Sequence, residues 1–467
     1  MYKIISIAFF ILFIINIGFS QNDTKVPLPR PAQITWQNAE LAVVFHYDLH
    51  VFDGKKYQQS NNWITPIPDY NIFNPVNLNT DQWVKAAKDA GARVAIFTAS
   101  HETGFSLYQS DVNPYCLKAV KWQDGKGDIV RDFVASCRKY GVLPGLYIGI
   151  RFNSFFGVNS HKVNGGGEFA ENRQKYYNKM VEGMVQELFS RYGDLSVVWF
   201  DGGASGPDEG GPDILPIFEK YQPGCLFYNN TQRSDMRWGG SESGTVPYPC
   251  WGNFPFYSLT ASDSIKRALP ENNFALLKTG NSNGQYYMPA FSDAPLRSYN
   301  GHHDWFWNPH SEDGILPLPN LVEMYYNSVG HNSTLILGLT PDATGLMPEA
   351  DVKRLQEFGK EIERRFDQPV ASTSGSGNRI TLKLEHKQKI NQLVLMEQIE
   401  QGELVRKCNI EGKTTKGWQS IFEGSSIGHK FIHRFEEIDV SAVRLNILES
   451  KGEPQILDFS VYQVGNK

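Results

Sequence analysis

The sequence has few cysteines and no pattern that would organise them. Cys116, Cys137, Cys225, Cys250 and Cys408 are scattered through 467 residues with no Cys-x-x-Cys spacing. That excludes a disulfide framework and the usual structural zinc sites. Cys225 and Cys250 could pair, but buried free thiols are the expectation. Excess basic charge is also lacking: 45 Lys and Arg stand against 50 Asp and Glu, a net charge of −5. Neither a nucleic-acid footprint nor a polybasic membrane surface is expected. No Gly-x-Gly-x-x-Gly or phosphate-loop motif follows an apolar run, which argues against a nucleotide-binding sheet. Only one apolar stretch approaches membrane-spanning length. It runs from Ile4 to Phe19, behind Lys3 and ahead of the small residues Gly18 and Ser20. Residues 1–20 read as a secretory signal peptide, with an uncleaved anchor as the alternative. The mature chain is expected to be exported, periplasmic or extracellular, with no membrane insertion after signal cleavage.

What is present fits a large packed fold. Hydrophobic residues make up 41% and charged residues 20%, so disorder is not expected. Aromatics reach 13%. Such a surface stacks well on sugar rings, although any large barrel or sandwich shares the composition. From about residue 40, short apolar runs alternate with amphipathic stretches. The runs are Leu41–His46, Arg93–Ala99, Leu143–Ile150, Leu195–Asp201, Cys225–Asn229, Phe274–Thr279 and Thr334–Leu339. They are rich in β-branched and aromatic residues, as strands buried on both faces require. Helical patterns lie between them at Thr80–Ala90, Asp128–Tyr140, Glu168–Tyr192, Asp213–Tyr221, Leu321–Val329 and Glu349–Phe366. This alternation favours a (β/α) barrel or a doubly wound sheet; a catalytic TIM-like barrel over residues 21–366 is the expectation, with strands six and seven undefined between residues 245 and 315. Beyond a Ser/Gly-rich stretch at Ala371–Asn378, read as a linker, come seven short alternating runs and no helical period. Residues 367–467 are therefore expected to form an all-β sandwich.

In a barrel, chemistry gathers at the carboxyl ends of the strands. Those ends read His46-Tyr47-Asp48, Ser100-His101-Glu102, Arg151-Phe152-Asn153, Trp199-Phe200-Asp201-Gly202 and Asn229-Asn230. A long loop then carries Arg237-Trp238-Gly239-Gly240-Ser241-Glu242. Imidazoles, carboxylates and tryptophans interleaved in this way suit a pyranose, whose hydroxyls take polar partners while its apolar face lies on a ring. Asp201, placed by Val-Val-Trp-Phe at the barrel mouth, either caps the next turn or acts chemically. Paired with Glu242, it could form the two-carboxylate set of glycoside hydrolysis. His302-His303-Asp304 is a poor chelate, because neighbours on a strand face opposite ways. His429 and His433 read as surface residues, and Trp418 as a sandwich core residue or a sugar platform.

These segments resemble glycoside hydrolase family 29, the α-L-fucosidases, and more closely its linkage-selective branch. Trp199-Phe200-Asp201-Gly202 is similar to the family's Trp-Phe-Asp-Gly, whose Asp is the nucleophile. Thr98 to Phe105 resembles Thr-Ala-Lys-His-His-Asp-Gly-Phe. The Arg237–Glu242 loop is similar to Arg-Trp-x-Gly-Asn-Glu, which brings the acid/base. Phe73-Asn74-Pro75, Asp81-Gln82-Trp83 and Gly330-His331-Asn332 add support, and Ser426–Lys430 resembles a galactose-binding-like sandwich. The resemblance implies a retaining exo-glycosidase that needs no cofactor and no metal. Asp201 and Glu242 would be catalytic, and His46, Trp63, His101, Glu102, Trp199, Arg237 and Trp305 would bind substrate. The chain also departs from the pattern: Glu102 replaces the second paired His, Ser100 a Lys, Asn62 a Glu, and Arg151 a Trp. Those positions are expected to surround the sugar, so the expected substrate is a fucosylated or galactosylated oligosaccharide. The alternatives are a β-galactosidase or α-L-galactosidase on the same barrel, and a non-catalytic carbohydrate-binding protein. Glu102 is read either as a sugar contact or as a partner of Arg151 or His101.

Overall fold

The computed structural model describes residues 26–259 and 275–465. The segment read as a signal peptide lies outside them. Eight strands share one sheet: β1 (Leu41–Phe45), β2 (Val94–Ser100), β3 (Leu143–Ile148), β4 (Val197–Ala204), β5 (Leu226–Asn230), β6 (Arg237–Trp238), β7 (Ala290–Pro295) and β8 (Ser333–Leu339). Their order is β5-β4-β3-β2-β1-β8-β7-β6, and every ladder is parallel. The seam between β5 and β6 is drawn together by Asp235, whose amide donates to the Phe227 carbonyl (2.9 Å) and whose carboxylate accepts from the Phe227 amide (2.7 Å). The result is the nearly closed TIM-like barrel expected from the alternation.

Helices cover the outside, which is why β1, β2 and β8 are buried at every residue. They are α1 (Pro31–Ala39), α2 (Thr80–Asp89), α3 (Ile129–Tyr140), α4 (Gly167–Arg191), α5 (Leu215–Tyr221), α6 (Leu318–Tyr326) and α7 (Glu349–Phe366). Their starts follow capping chemistry. Asn79 accepts from the Gln82 amide (3.0 Å) and caps α2, and Asp128 accepts from the Arg131 amide (2.9 Å) and caps α3. α3 stops at Gly141, whose φ of 69° is the left-handed cap that glycine adopts most readily. Its face of Ile129, Val130, Phe133, Val134 and Cys137 is buried, each larger side chain contributing about 1.5–3 kcal/mol. Two strand expectations fail. The described part of the Phe274–Thr279 run, Ala275–Thr279, is one helical turn. β6 lies ahead of the expected interval and spans only two residues, paired Arg237 to Ala290 and Trp238 to Phe291. So short a strand leaves no apolar run to read.

The C-terminal strands are β9 (Ala371–Ser376), β10 (Arg379–Glu397), β11 (Val405–Thr414), β12 (Gly417–Gly424), β13 (Phe431–Ser450) and β14 (Gln455–Tyr462). They form one antiparallel sheet in the order β9-β14-β10-β13-β11-β12. β10 shifts register between Lys383 and Gln388, so Ile380, Leu382 and Leu384 from its first half share a core with Ile390, Leu393 and Leu395 from its second. One sheet thus folds over itself to make both layers. The expected linker is instead the edge strand β9, whose small, mostly exposed side chains hide it from any periodicity.

The sandwich is bound to the barrel by apolar and polar contacts. Val394, Ile432 and Tyr462 join the barrel's own core. Glu403, fully buried, accepts from the Gly252 amide (2.9 Å) and Asn332 Nδ2 (2.6 Å). The His429 amide donates to Asn332 Oδ1 (2.7 Å), which buries His429 at this joint instead of on the surface. Trp418 is half-buried beneath the Arg444 guanidinium, 4.2 Å from the ring centre. All five cysteines are free and buried. Among the described residues, no helix is long and apolar enough to cross a membrane.

Candidate active site

The carboxyl ends of the strands surround a cavity of about 250 Å³. Trp63, Glu102, Tyr147, Arg151, Trp199, Asp201, Tyr228, Trp238, Glu242 and Asp293 line it. A deeper recess shares six of these residues and adds His46, His101, Tyr57 and Trp305. Eight of the nine residues singled out in the sequence therefore converge on one cup.

Local backbone geometry puts Asp201 there. β4 and β5 pair through Trp199 and Tyr228, lose register, and rejoin only at Ala204 and Asn230. Asp201 sits in that irregularity, and such bulges re-aim a side chain out of the ladder. Val197 to Phe200 are buried, whereas Asp201 and Gly202 open onto the cavity. Gly202 has a φ of 64°, and a Cβ there would lie 2.5 Å from Arg151 Nη1. The strand can turn against Arg151 only through glycine.

Glu242 comes from the β6–β7 connection. Its Oε2 is hydrogen-bonded by His303 Nε2 (2.5 Å) and Trp305 Nε1 (2.9 Å). Burial pulls its pKa upward, but the bonds from His303 and Trp305 and the nearby imidazoles prevail and hold it below the usual value. His303 is correspondingly raised, chiefly by its bond to Glu242. Asp201 is raised by burial and then by the charge of Glu242, with Trp199 and Arg151 opposing. A proton donor needs a raised pKa, whereas here the two aromatic donors stabilise the Glu242 carboxylate.

Glu102 is buried among donors. Tyr57 gives its hydroxyl to Oε2 (2.6 Å), and Trp63 gives its indole N–H to Oε1. His101 Nδ1 lies 3.6 Å from Oε2. Glu102 lines the cup and is held by Tyr57 and Trp63, not by the expected Arg151 or His101. Burial, reinforced by Asp201 and Asp48, raises its pKa to about 8, so it is predominantly neutral at pH 7. His46 is lowered to about 4 by burial and is a neutral imidazole. His101 is also lowered, and it stacks on Tyr147 at 5.0 Å. Both keep a buried Nδ1 without a partner in the protein. Trp63 stacks on Phe152 at 4.0 Å and forms part of the outer wall.

Arg237 is the exception. It is fully buried, and its guanidinium donates to the Leu277 carbonyl (2.9 Å), the Met288 carbonyl (2.5 Å) and Cys250 Sγ (3.2 Å). It ties loops together beneath the cup and cannot touch substrate. Asn62 also turns away, towards His50 Nδ1 (2.5 Å). His302 bonds Asp304 (2.8 Å) and faces Asp313, while His303 faces Glu242, so the two imidazoles diverge. Among the described residues, no group of three or more His, Cys, Asp or Glu side chains is arranged to hold a metal.

Sequence reasoning missed Tyr57, Tyr147, Tyr228, Trp238 and Asp293. Asp293 had a weak signal, since an acid after Ala290-Phe291-Ser292 repeats in miniature the pattern that exposed Asp201. Its carboxyl, 5% exposed, accepts from Trp238 Nε1 (2.8 Å). Burial first, then Glu242 and Asp201, push its pKa well up.

A parallel barrel with an aromatic-walled, carboxylate-rich cup at its carboxyl face defines a glycoside hydrolase. The chain belongs to the α-L-fucosidase family, whose model matches residues 29–365. It is similar to a candidate α-L-fucosidase from Bacteroides thetaiotaomicron VPI-5482, whose crystal structure superposes with a TM-score of 0.92 at 55% identity, covering 94% of this chain and 100% of that one. A glycoside hydrolase 29 family member from a rumen bacterium is 26% identical with a TM-score of 0.78, over 95% and 78% of the two chains. Alpha-L-fucosidase 1 of Arabidopsis thaliana is 27% identical over 97% of this chain and 91% of its own length.

Proposed function

We propose that the enzyme is an exported, retaining exo-glycosidase that releases terminal α-L-fucosyl residues from glycans. The observation that carries this reading is the convergence of Asp201 and Glu242 on one aromatic-walled cup. Asp201 attacks the anomeric carbon and the glycosidic oxygen leaves with a proton from Glu242, giving a glycosyl-enzyme ester. Glu242 then takes a proton from water, which attacks the same carbon and frees Asp201. His303 and Trp305 both bond Oε2 of Glu242, so the proton is given to the glycosidic oxygen from Oε1. Neutral His46 and His101 offer ring nitrogens to the sugar hydroxyls, and Trp199 and Trp305 cover its apolar side. The family membership and the apolar Ile4–Phe19 run support the fucosyl substrate and export to the periplasm or medium.

The test is kinetic. Asp201→Ala should lose essentially all turnover of an aryl α-L-fucoside, because nothing remains to form the ester. Glu242→Ala should retain more on good leaving groups, which need little protonation, and azide should rescue it by attacking the intermediate. Equal losses without azide rescue would transfer the acid/base role to another carboxyl, Glu102 being the first suspect.

A second reading is favoured by one observation: Glu102 lines the cup where the family has a His. The sugar accepted would then extend to a galactoside, either β-galactoside or α-L-galactoside. L-Galactose differs from L-fucose by one hydroxyl, and an apolar pocket rejects such an addition by only about a hundredfold.

A further inference from the structure

The loop that carries Glu242 is held at both ends by one residue of β7. Trp238 precedes Glu242 and donates its indole N–H to Asp293 Oδ1 (2.8 Å). Gly244 follows Glu242 and donates its amide to the Asp293 carbonyl (2.8 Å). The glycines of this segment allow the close approach. A Cβ on Gly239 would stand 2.9 Å from the Phe291 carbonyl, and one on Gly244 would stand 2.3 Å from Met324 Sδ. Gly244 also has a φ of 67°, which disfavours any side chain. Residues 238–244 are thus drawn in against β7, and Glu242 projects from the arc between two points fixed on Asp293.

We propose that Asp293 is the positioning residue for the acid/base: it clasps the Glu242 loop through its side chain at Trp238 and its main chain at Gly244, and so sets where Glu242 meets the glycosidic oxygen. The inference rests on the reading of Glu242 as acid/base. A carboxyl that touched only sugar hydroxyls would affect every substrate alike. One that acts through Glu242 matters only to the extent that the leaving group needs a proton.

The experiment compares kcat/KM for phenyl and 2-chloro-4-nitrophenyl α-L-fucosides. For Asp293→Ala, the phenyl substrate should lose roughly ten- to a hundredfold, within the range that general acids supply, and the activated substrate much less. Azide should speed turnover of the activated substrate. Asp293→Asn keeps an acceptor for Trp238 and should restore most of the phenyl activity. Trp238→Phe removes the same bond from the other side and should reproduce the leaving-group dependence, which covers the case in which Asp293→Ala does not fold. Equal losses on both substrates, or an Asn variant as impaired as Ala, would overturn the proposal. Glu242→Ala run in parallel separates the two ideas. If it shows no leaving-group dependence, the acid/base assignment falls; if it does and Asp293→Ala does not, only the clasp falls.

Discussion

Replacing His303 tests whether its contact with Glu242 governs the titration of that carboxyl. Both groups are partly open to solvent, with side-chain exposures of 49% and 43%. Their 2.5 Å contact must therefore be discounted for screening, and an exposed pair of this kind is worth about 0.2–1 kcal/mol. Trp305 Nε1 still reaches Oε2 after the change, so part of the stabilisation of the carboxylate survives. The sign follows directly. The His303 bond favours ionised Glu242 and lowers its pKa, so removing it raises that pKa. With Glu242 as the proposed acid/base, activity needs it protonated, so the alkaline limb of kcat/KM, which reports the free enzyme, should move to higher pH in His303→Ala. At a fixed pH on that limb, the protonated fraction should increase about 1.4- to fivefold, the equivalent of about 0.2–1 kcal/mol.

The assay is a pH profile of kcat/KM on an aryl α-L-fucoside for native and His303→Ala protein. The position of the limb is the readout, because the plateau also reflects lost positioning. Asp201 and Glu242 interact, so each limb belongs to the pair rather than to one residue. A limb that stays in place, or moves to lower pH, would refute the reasoning. It would mean that the limb is not set by Glu242 or that His303 does not bond it in solution.

Above pH 8, where Glu102 is ionised and can only accept, Glu102→His should raise the ratio of α-L-fucosidase to galactosidase turnover, measured as kcat/KM on the two aryl glycosides; an unchanged ratio there would make Glu102 a purely structural partner of Tyr57 and Trp63. Glu403→Ala should lower stability by about 2–4 kcal/mol, because the buried Gly252 amide and Asn332 side chain lose their acceptor. A thermal unfolding midpoint equal to that of the native protein would show that water replaces the carboxylate.

The barrel was legible where strands were long and apolar on both faces, as in β1 to β5 and β8. It was illegible at β6 and β7. A two-residue strand and a short run broken by Ser292 carry no period, and their place is fixed by pairing, β7 to β8 and β6 to β7, which no local pattern contains. The same limit applies to the site. Asp201 was legible because an apolar strand delivers it, and Glu242 because a resemblance covered its loop. Asp293 and Tyr147 come to the cup from β7 and β3 through the closure of the barrel. Arg237 was misplaced for the converse reason: proximity to Glu242 in sequence does not say which way a guanidinium points, and its three buried acceptors turn it inward.

Glu102 can be read more closely once its protonation is considered. An ionised carboxylate in place of a histidine would only accept, and would reverse one hydrogen bond to the sugar. It would also add a charge beside Asp201, Glu242 and Asp293, against a single arginine, Arg151. Both costs are avoided while Glu102 carries a proton. Tyr57 and Trp63 donate to its two oxygens, which leaves the carboxyl proton free to be directed elsewhere. His101 Nδ1, buried and without a partner, lies 3.6 Å away, beyond hydrogen-bond reach. A sugar hydroxyl entering the recess is the destination the proposed function offers. In the neutral form Glu102 therefore remains a donor, as a histidine would be. Above its pKa of about 8, it becomes an acceptor facing a crowded set of carboxylates. Where a sugar hydroxyl meets Glu102, the substitution would let the direction of that hydrogen bond follow pH, while Tyr57, Trp63 and Tyr147 shape the cup.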